Sequence, residues 1–188
     1  MSDRVRCPWC GDDPLYVQYH DTEWGQAVRN DQKMFEILLL ETFQSGLSWI
    51  TILRKRENFR KAFLNFDIHK VADMSDEDLQ LLLLDAGIVR NKLKIWSARN
   101  NAQAFLKVVE EFGSFHAYLW KFTHSRTIVN RWRSMEEVPA KTELSDRVSS
   151  DLKRRGFKFL GSTVVYAHLQ ACGIVDDHLM NCWKKKES

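Results

Sequence analysis

The apolar residues of this chain recur every three or four positions over most of its length, which is the spacing of amphipathic α-helices. No stretch alternates apolar and polar residues as a half-buried strand does, and no Asn-Gly pair marks a hairpin. We therefore predict an all-α fold, with helices over 34–41, 49–66, 79–86, 95–112, a segment after Ser114, 143–155 and 163–172.

Polar residues and glycines mark where these helices begin and end. Asp31 is the expected N-cap of the first helix, and Ser75 and Asp78 have the spacing of a capping box before the third. Glycines follow three other helices, at Gly113, Gly156 and Gly173. The stretch 123–141 has no helical pattern and is interpreted as a connection.

Length and composition leave room for one compact domain or for two small lobes that share a core. The chain has 188 residues, of which 44% are hydrophobic and 28% charged, as in ordinary globular proteins. We expect a single domain over 1–188, present as a monomer. No apolar run approaches the ~20 residues that span a membrane, and the first residues lack the apolar core of a secretion signal. We therefore expect no membrane partner and a cytoplasmic location, where thiols stay reduced.

The net charge of +3 conceals an uneven distribution of charge along the chain. Basic side chains dominate 54–61 and 90–99, whereas the intervening stretch 73–85 is acidic. Solvated helix faces are the ordinary explanation of such runs, and charge alone favours that explanation.

Five residues of metal-ligating type lie near the two ends of the chain. Cys7 and Cys10 form a C-x-x-C motif followed by His20, and His178 with Cys182 forms H-x-x-x-C. Thiolate and imidazole ligands suit tetrahedral Zn²⁺, and four protein ligands would make the metal structural, because no coordination position stays open. Spacing alone does not decide which four of the five residues bind.

The C-terminal pair suits a metal only if the local structure brings both side chains to one side. A helix begun at Asp176 or Asp177 would project His178 and Cys182 from one face. The alternatives are that His178 is a histidine near a helix cap and Cys182 a core cysteine, or that the C-x-x-C motif is a redox pair. A redox pair of this kind sits at a strand-to-helix junction, which the pattern does not predict.

Glu41 interrupts an otherwise apolar stretch. It shares a helical face with Met34, Ile37 and Leu38, where an unpaired carboxylate is costly. Its partner is a basic side chain, a set of backbone amides or a ligand, unless the helix ends there and the carboxylate reaches solvent.

The residues after Glu41 and those near the N-terminus indicate what a ligand would be. Gly46, Leu47 and Trp49 precede a basic helix, and aromatic residues crowd the first 24 positions. Aromatic rings around one carboxylate, with basic residues outside, favour a flat cationic ring beside a polyanion. Taken one by one, such aromatic residues more often belong to a core.

Several segments together resemble the DNA-3-methyladenine glycosylase I family of bacterial repair enzymes. The similarity runs from Cys7 to Cys182 and is carried by five blocks and a hairpin element: 13–25, 41–53, 55–58, 155–161, 170–173 and 85–94.

The resemblance implies an all-α helix-hairpin-helix glycosylase fold with two lobes, a base pocket between them and a zinc site joining 7–20 to 178–182. The hairpin element would cover about 79–100. Structural Zn²⁺ would be held by Cys7, His20, His178 and Cys182, which leaves Cys10 as an extra thiol.

The resemblance also implies roles around the base. Glu41 would hydrogen-bond the excised base as the catalytic residue, Trp49 would stack on it, and Tyr19 would contact its edge. The other base-binding residues would be Trp9, Tyr16 and Trp24. Leu47 would wedge into the gap left by the flipped nucleotide, and DNA would also contact Gly46, Gly87, Arg90 and Lys92.

The implied reaction is hydrolysis of the N-glycosidic bond of 3-methyladenine in double-stranded DNA, which leaves an abasic site and the free base. Methylation already places a positive charge on the base, so a strong general acid is unnecessary, and we assign neither a nucleophile nor a Schiff-base lysine. The alternatives are a non-catalytic zinc-containing DNA-binding module, and a redox protein built on Cys7 and Cys10.

Overall fold

The computed structural model describes residues 4–186, which form a mainly helical fold. Within that range we number nine α-helices and two short strands in chain order. They are α1 Pro14–Thr22, α2 Asp31–Gln44, α3 Trp49–Ala62, α4 Ile68–Ala72, α5 Asp76–Leu82, α6 Lys92–Phe112, α7 Phe115–Trp120, β1 Ile128–Val129, α8 Glu143–Arg154, α9 Ser162–Ala171 and β2 Val175–Asp176.

Helix α2 lies at the centre of the molecule. Every residue from Met34 to Phe43 is buried, and α3, α6, α7 and α9 all pack against this helix. A helix that is apolar all round needs neighbours on every side, which explains why the apolar faces of the other helices converge on it. Glu41 is therefore held in the interior by the packing of its own helix.

The predicted helices are present, but several ends differ: α2, α5 and α6 begin three residues earlier than predicted, α2 runs on to Gln44, and α5 stops at Leu82 rather than Ala86. Helix α3 ends at Ala62 rather than Phe66, because Leu64, Asn65 and Phe66 adopt positive φ angles of 53°, 56° and 56°. Phe66 nevertheless stays buried, so its apolar spacing imitates a continued helix. Helix α8 ends at Arg154, and α9 covers Ser162–Ala171 rather than 163–172.

Asp31 caps a different helix from the one predicted. Asn30 is the N-cap of α2, and its side chain accepts from the Lys33 amide at 2.8 Å. The Asp31 carboxylate accepts from the first two amides of α7, those of Phe115 and His116, at 2.9 and 3.0 Å. The predicted capping box before α5 and the left-handed Gly113 after α6 are both confirmed.

The connecting stretch and the C-terminal segment also differ from the prediction. Strand β1 lies within 123–141 and pairs in parallel with β2, so the fold contains a two-stranded sheet. No helix begins at Asp176 or Asp177, where the chain instead leaves β2 through a series of turns. Along 4–186, no helix combines the length and the apolar character needed to cross a lipid bilayer.

Candidate active site and metal centre

A cavity of about 300 Å³ opens beside the end of α2. That volume lies at the lower end of the range for small-molecule sites, and suits a single heterocyclic base better than a larger ligand. All six residues predicted to bind a base line this one cavity, namely Trp9, Tyr16, Tyr19, Trp24, Glu41 and Trp49.

The aromatic side chains form a continuous wall. The ring centroids of Trp9 lie 5.1 Å from Tyr16 and 4.9 Å from Trp24, and those of Tyr19 and Trp49 are 5.5 Å apart. Burial raises the pKa of Tyr16 to about 12 and that of Tyr19 well above its ordinary value, so both phenols keep their protons. The wall is therefore uncharged and offers faces for stacking.

Glu41 is the chemically unusual member of this cavity. The residue is 5% exposed, and within residues 4–186 no group donates a hydrogen bond to its carboxylate. Desolvation raises its pKa to about 8. Among the described residues, Glu41 thus faces neither bulk solvent nor a protein partner, and its carboxyl group borders the cavity.

Asp177 is the second carboxylate at the cavity, and no pattern along the chain indicates that it lies there. Its two oxygens accept four hydrogen bonds, from Asn130 at 2.7 Å, Trp132 at 2.8 Å, Gln170 at 2.7 Å and the Tyr166 hydroxyl. With every strong acceptor position used, this carboxylate joins the 130–132 segment to α9 and has no free lone pair for chemistry.

The stretch interpreted as a connection supplies another wall of the cavity. Met135, Val138, Pro139 and Ala140 all line it. Apolar residues in a stretch without periodicity are the only sequence signal for this wall, and they do not indicate what the stretch covers.

The four predicted metal ligands come together although the predicted C-terminal helix is absent. The ligand atoms of Cys7, His20, His178 and Cys182 all lie within 4.8 Å of one another, and all four residues are buried. Cys10 lies outside this group, since its thiol donates to the Cys7 carbonyl at 3.2 Å.

The distances within this group fit a tetrahedral metal. His178 Nδ1 lies 3.6 Å from the Cys7 sulfur and 3.5 Å from the Cys182 sulfur, which is 3.4 Å from His20 Nε2. A tetrahedron with metal–ligand bonds of about 2.2 Å has edges of about 3.6 Å. A hydrogen bond between the two thiols lowers the pKa of Cys182 and raises that of Cys7.

A carboxylate orients one of the imidazoles. Asp21 accepts from His20 Nδ1 at 2.8 Å, which directs the Nε2 lone pair towards the thiols. Arg6 donates to the same carboxylate at 2.7 Å and holds its pKa well below the usual range. This orientation suits His20 as a metal ligand.

The residues predicted to contact DNA lie on two exposed turns. Gly46 has a φ of +85°, which favours glycine, and the next side chain, Leu47, is 39% exposed. The turn between α5 and α6 carries Gly87 and the exposed side chain of Arg90, and Lys92 opens α6. These residues do not line the cavity.

Comparisons with known proteins agree with this geometry. The model of the methyladenine glycosylase family matches residues 9–185. DNA-3-methyladenine glycosylase 1 of Escherichia coli is 45% identical over 177 residues, which cover 94% of this chain and 95% of that protein.

Solved structures agree as well. A variant of 3-methyladenine DNA glycosylase I in complex with 3-methyladenine superimposes with a TM-score of 0.94 at 35% identity, over 97% of this chain and 98% of that one. A structure of 3-methyladenine DNA glycosylase I from Staphylococcus aureus, solved to explain 3-methyladenine recognition, superimposes with a TM-score of 0.93 at 35% identity. The match covers 97% of each chain.

Fold and cavity together define the class, a helical DNA glycosylase. Within that class, the chain belongs to the methyladenine glycosylase family.

Proposed function

We propose that this protein is a base-excision repair enzyme that hydrolyses the N-glycosidic bond of 3-methyladenine in alkylated DNA. The observation that carries the proposal is Glu41, a carboxylate in an aromatic cavity without any protein partner in the described chain. The relatives of this protein are named as glycosylases of 3-methyladenine, and the structure of one of them was solved in complex with that base.

Glu41 distinguishes a methylated base from a normal one through charge. Its raised pKa reflects the cost of a desolvated anion, and a cationic base in the cavity offsets that cost. Unmodified adenine is neutral, so it does not offset the free-energy cost of a desolvated Glu41 anion. Stacking on Trp49 and its neighbours adds roughly 1 to 3 kcal/mol for either base, so the carboxylate carries the discrimination.

The remaining residues at the cavity support a monofunctional hydrolase. The methylated base leaves as a neutral molecule, so no strong acid is required. Asp177 is fully engaged, and none of the described residues that line the cavity is a lysine that would form a Schiff base. In this proposal the protein selects and orients the base, and its cavity shields the bond that breaks.

The two exposed turns would hold the DNA. We assign α5, the turn after it and α6 to the helix-hairpin-helix element, and Leu47 to the gap left by the flipped base. Gly87 donates its amide to Asp85 at 2.7 Å, so the amides of Val89 and Arg90 are better placed to bind a phosphate. Arg90 and Lys92 would add charge to that contact.

Two lobes of a single domain would then border the cavity. The lobe formed by α3 to α6 would carry the hairpin, and the other would contain α1, α8 and α9, with α2 between them. Cys7, His20, His178 and Cys182 would hold Zn²⁺, which supplies structural cross-linking of the two chain ends when bound.

Product analysis tests the proposal. DNA treated with a methylating agent is incubated with the protein, and the released bases are separated by chromatography. We expect free 3-methyladenine in solution and abasic sites in the DNA, at which the strand breaks only on alkaline treatment. Duplex binding without base release would instead identify a non-catalytic DNA-binding module, and strand cleavage without alkali would contradict a monofunctional enzyme.

A further inference from the structure

Lys94 is a buried cation that none of the roles above uses. It is the third residue of α6 and only 8% exposed. Its ammonium group donates to the main-chain carbonyls of Phe43 at 3.1 Å and Ser45 at 2.9 Å, which end helix α2 and begin the turn after it.

The environment of Lys94 is unusual because it contains no acidic partner within the described chain. Burial lowers its pKa, which records the cost of desolvating the ammonium group. The carbonyls at the end of α2 compensate, since the C-terminus of a helix carries a partial negative charge and lacks intrahelical donors. A lysine kept in such a place needs a reason other than a salt bridge.

The position of Lys94 in the chain suggests that reason. Two residues before it, Lys92 begins the helix that follows the hairpin turn, and Ser45 directly precedes Gly46 and Leu47. Lys94 therefore joins the element assigned to the phosphates to the turn assigned to the gap in the duplex.

A second contact fastens the hairpin turn to α3. The Lys55 ammonium group donates to the carbonyls of Ala86 at 3.0 Å and Gly87 at 3.3 Å, and Asn58 donates to the latter at 3.4 Å. Since α3 begins at Trp49, the hairpin is tied to both elements that flank the turn 45–48.

We propose that Lys94 is a positioning residue that fixes the Leu47 turn relative to the hairpin. DNA held by the hairpin then meets the Leu47 side chain, and the cavity behind it, at one set distance. This inference rests on the proposed glycosylase function. A shift of about 1 Å between groups that act on one substrate is enough to slow a reaction about 100-fold.

The test compares Lys94→Met with Lys92→Met, which removes a nearby exposed lysine assigned to a phosphate. We expect Lys94→Met to slow single-turnover excision about 10- to 100-fold, with binding of free 3-methyladenine unchanged because the cavity is intact. The salt dependence of duplex affinity should match the wild type for Lys94→Met, whereas Lys92→Met should reduce the slope by about one.

A double-mutant cycle with Leu47→Ala tests the connection itself. If Lys94 acts through this turn, the rate losses of Lys94→Met and Leu47→Ala are not additive. The insertion of Leu47 can also be followed by fluorescence, in a duplex that carries 2-aminopurine next to an abasic-site analogue. The fluorescence should increase less on binding of Lys94→Met than of wild type, because Leu47 enters the duplex less fully. Lys94→Arg, which keeps the charge and the donors, should restore most of the rate.

Three results would overturn the inference: unchanged excision, additive losses in the cycle, or a parallel loss of free-base binding that marks general damage. If Lys94→Met does not fold, the same readings are taken on Lys94→Gln, which retains a donor. Wild-type protein that releases no 3-methyladenine would refute the proposed function first, and this inference with it.

Discussion

Single residues in this protein derive their properties from what surrounds them. Glu41 is an ordinary glutamate by type, but α2 holds it in an aromatic cavity where burial raises its pKa to about 8. Asp177, at the same cavity, accepts hydrogen bonds from four donors and has no acceptor position left for a ligand. A buried carboxylate with partners is structural, whereas one without partners is left available to a ligand, as we propose for Glu41.

The stability of the protein should report the burial of Glu41. A carboxyl whose folded pKa is about 8, against an ordinary value of 4.5, favours the protonated folded state. Its contribution to stability is complete below pH 4.5 and is lost as the pH rises to about 8. The free energy of unfolding of Glu41→Gln, relative to wild type, should therefore rise by up to about 1.4 kcal/mol per pH unit in this window.

Denaturant titrations of both proteins between pH 4.5 and 9 make this measurement. Glu110→Gln, which changes an exposed glutamate on α6, is the matched control and should track the wild type throughout. A pH-independent difference between Glu41→Gln and wild type would mean that Glu41 has an ordinary pKa.

Helices here are stabilised by groups from other helices as well as by their own caps. Asp31 belongs to the first turn of α2 yet accepts from both amides that open α7, so one carboxylate connects two elements. A negative charge at the start of α7 also suits the positive end of that helix.

Removal of this contact should destabilise the protein measurably. We expect Asp31→Ala to lower the free energy of unfolding by about 1 kcal/mol, because two amides of α7 lose their acceptor. Asp12→Ala, at an exposed aspartate near α1, should change it by less than about 0.5 kcal/mol. Equal effects of the two substitutions in thermal or denaturant unfolding would show that the contact does not cap α7.

At the scale of the whole molecule, the cluster of four candidate metal ligands and the cavity share a wall. Trp9 and Trp24 line the cavity and also pack against Cys7, Leu179 and Cys182. A metal that fixes the two chain ends would thereby fix the aromatic wall.

If the four residues hold Zn²⁺ as proposed, loss of a ligand should affect both stability and base binding. We expect Cys182→Ser to abolish stoichiometric zinc, to lower the melting temperature and to weaken binding of free 3-methyladenine. Cys10→Ser should retain one zinc per chain, because that thiol lies outside the cluster. Elemental analysis and thermal unfolding measure these effects, and loss of zinc from Cys10→Ser would show that the ligand set is wrong.

Local patterns predicted the helices and suggested an aromatic pocket around Glu41, whereas the family resemblance assigned its residues, and neither indicated the wall formed by 135–140. Periodicity located α2 and α6 because their apolar faces are long, and it overran α3 because Phe66 stays buried after the chain turns. Asp177 and Val138 belong to the cavity only through the way distant segments meet. Contacts that depend on such meetings, including those of Lys94, leave no periodic signal in the sequence.

The central claim, that a buried carboxylate selects the methylated base, is tested most directly by single-turnover excision of 3-methyladenine by Glu41→Gln. Glu110→Gln again serves as the control, and circular dichroism and melting verify that both variants fold. The account predicts at least a 100-fold slower rate for Glu41→Gln, weaker binding of the free base, and a wild-type rate for Glu110→Gln. A folded Glu41→Gln that excises the base at the wild-type rate would contradict it.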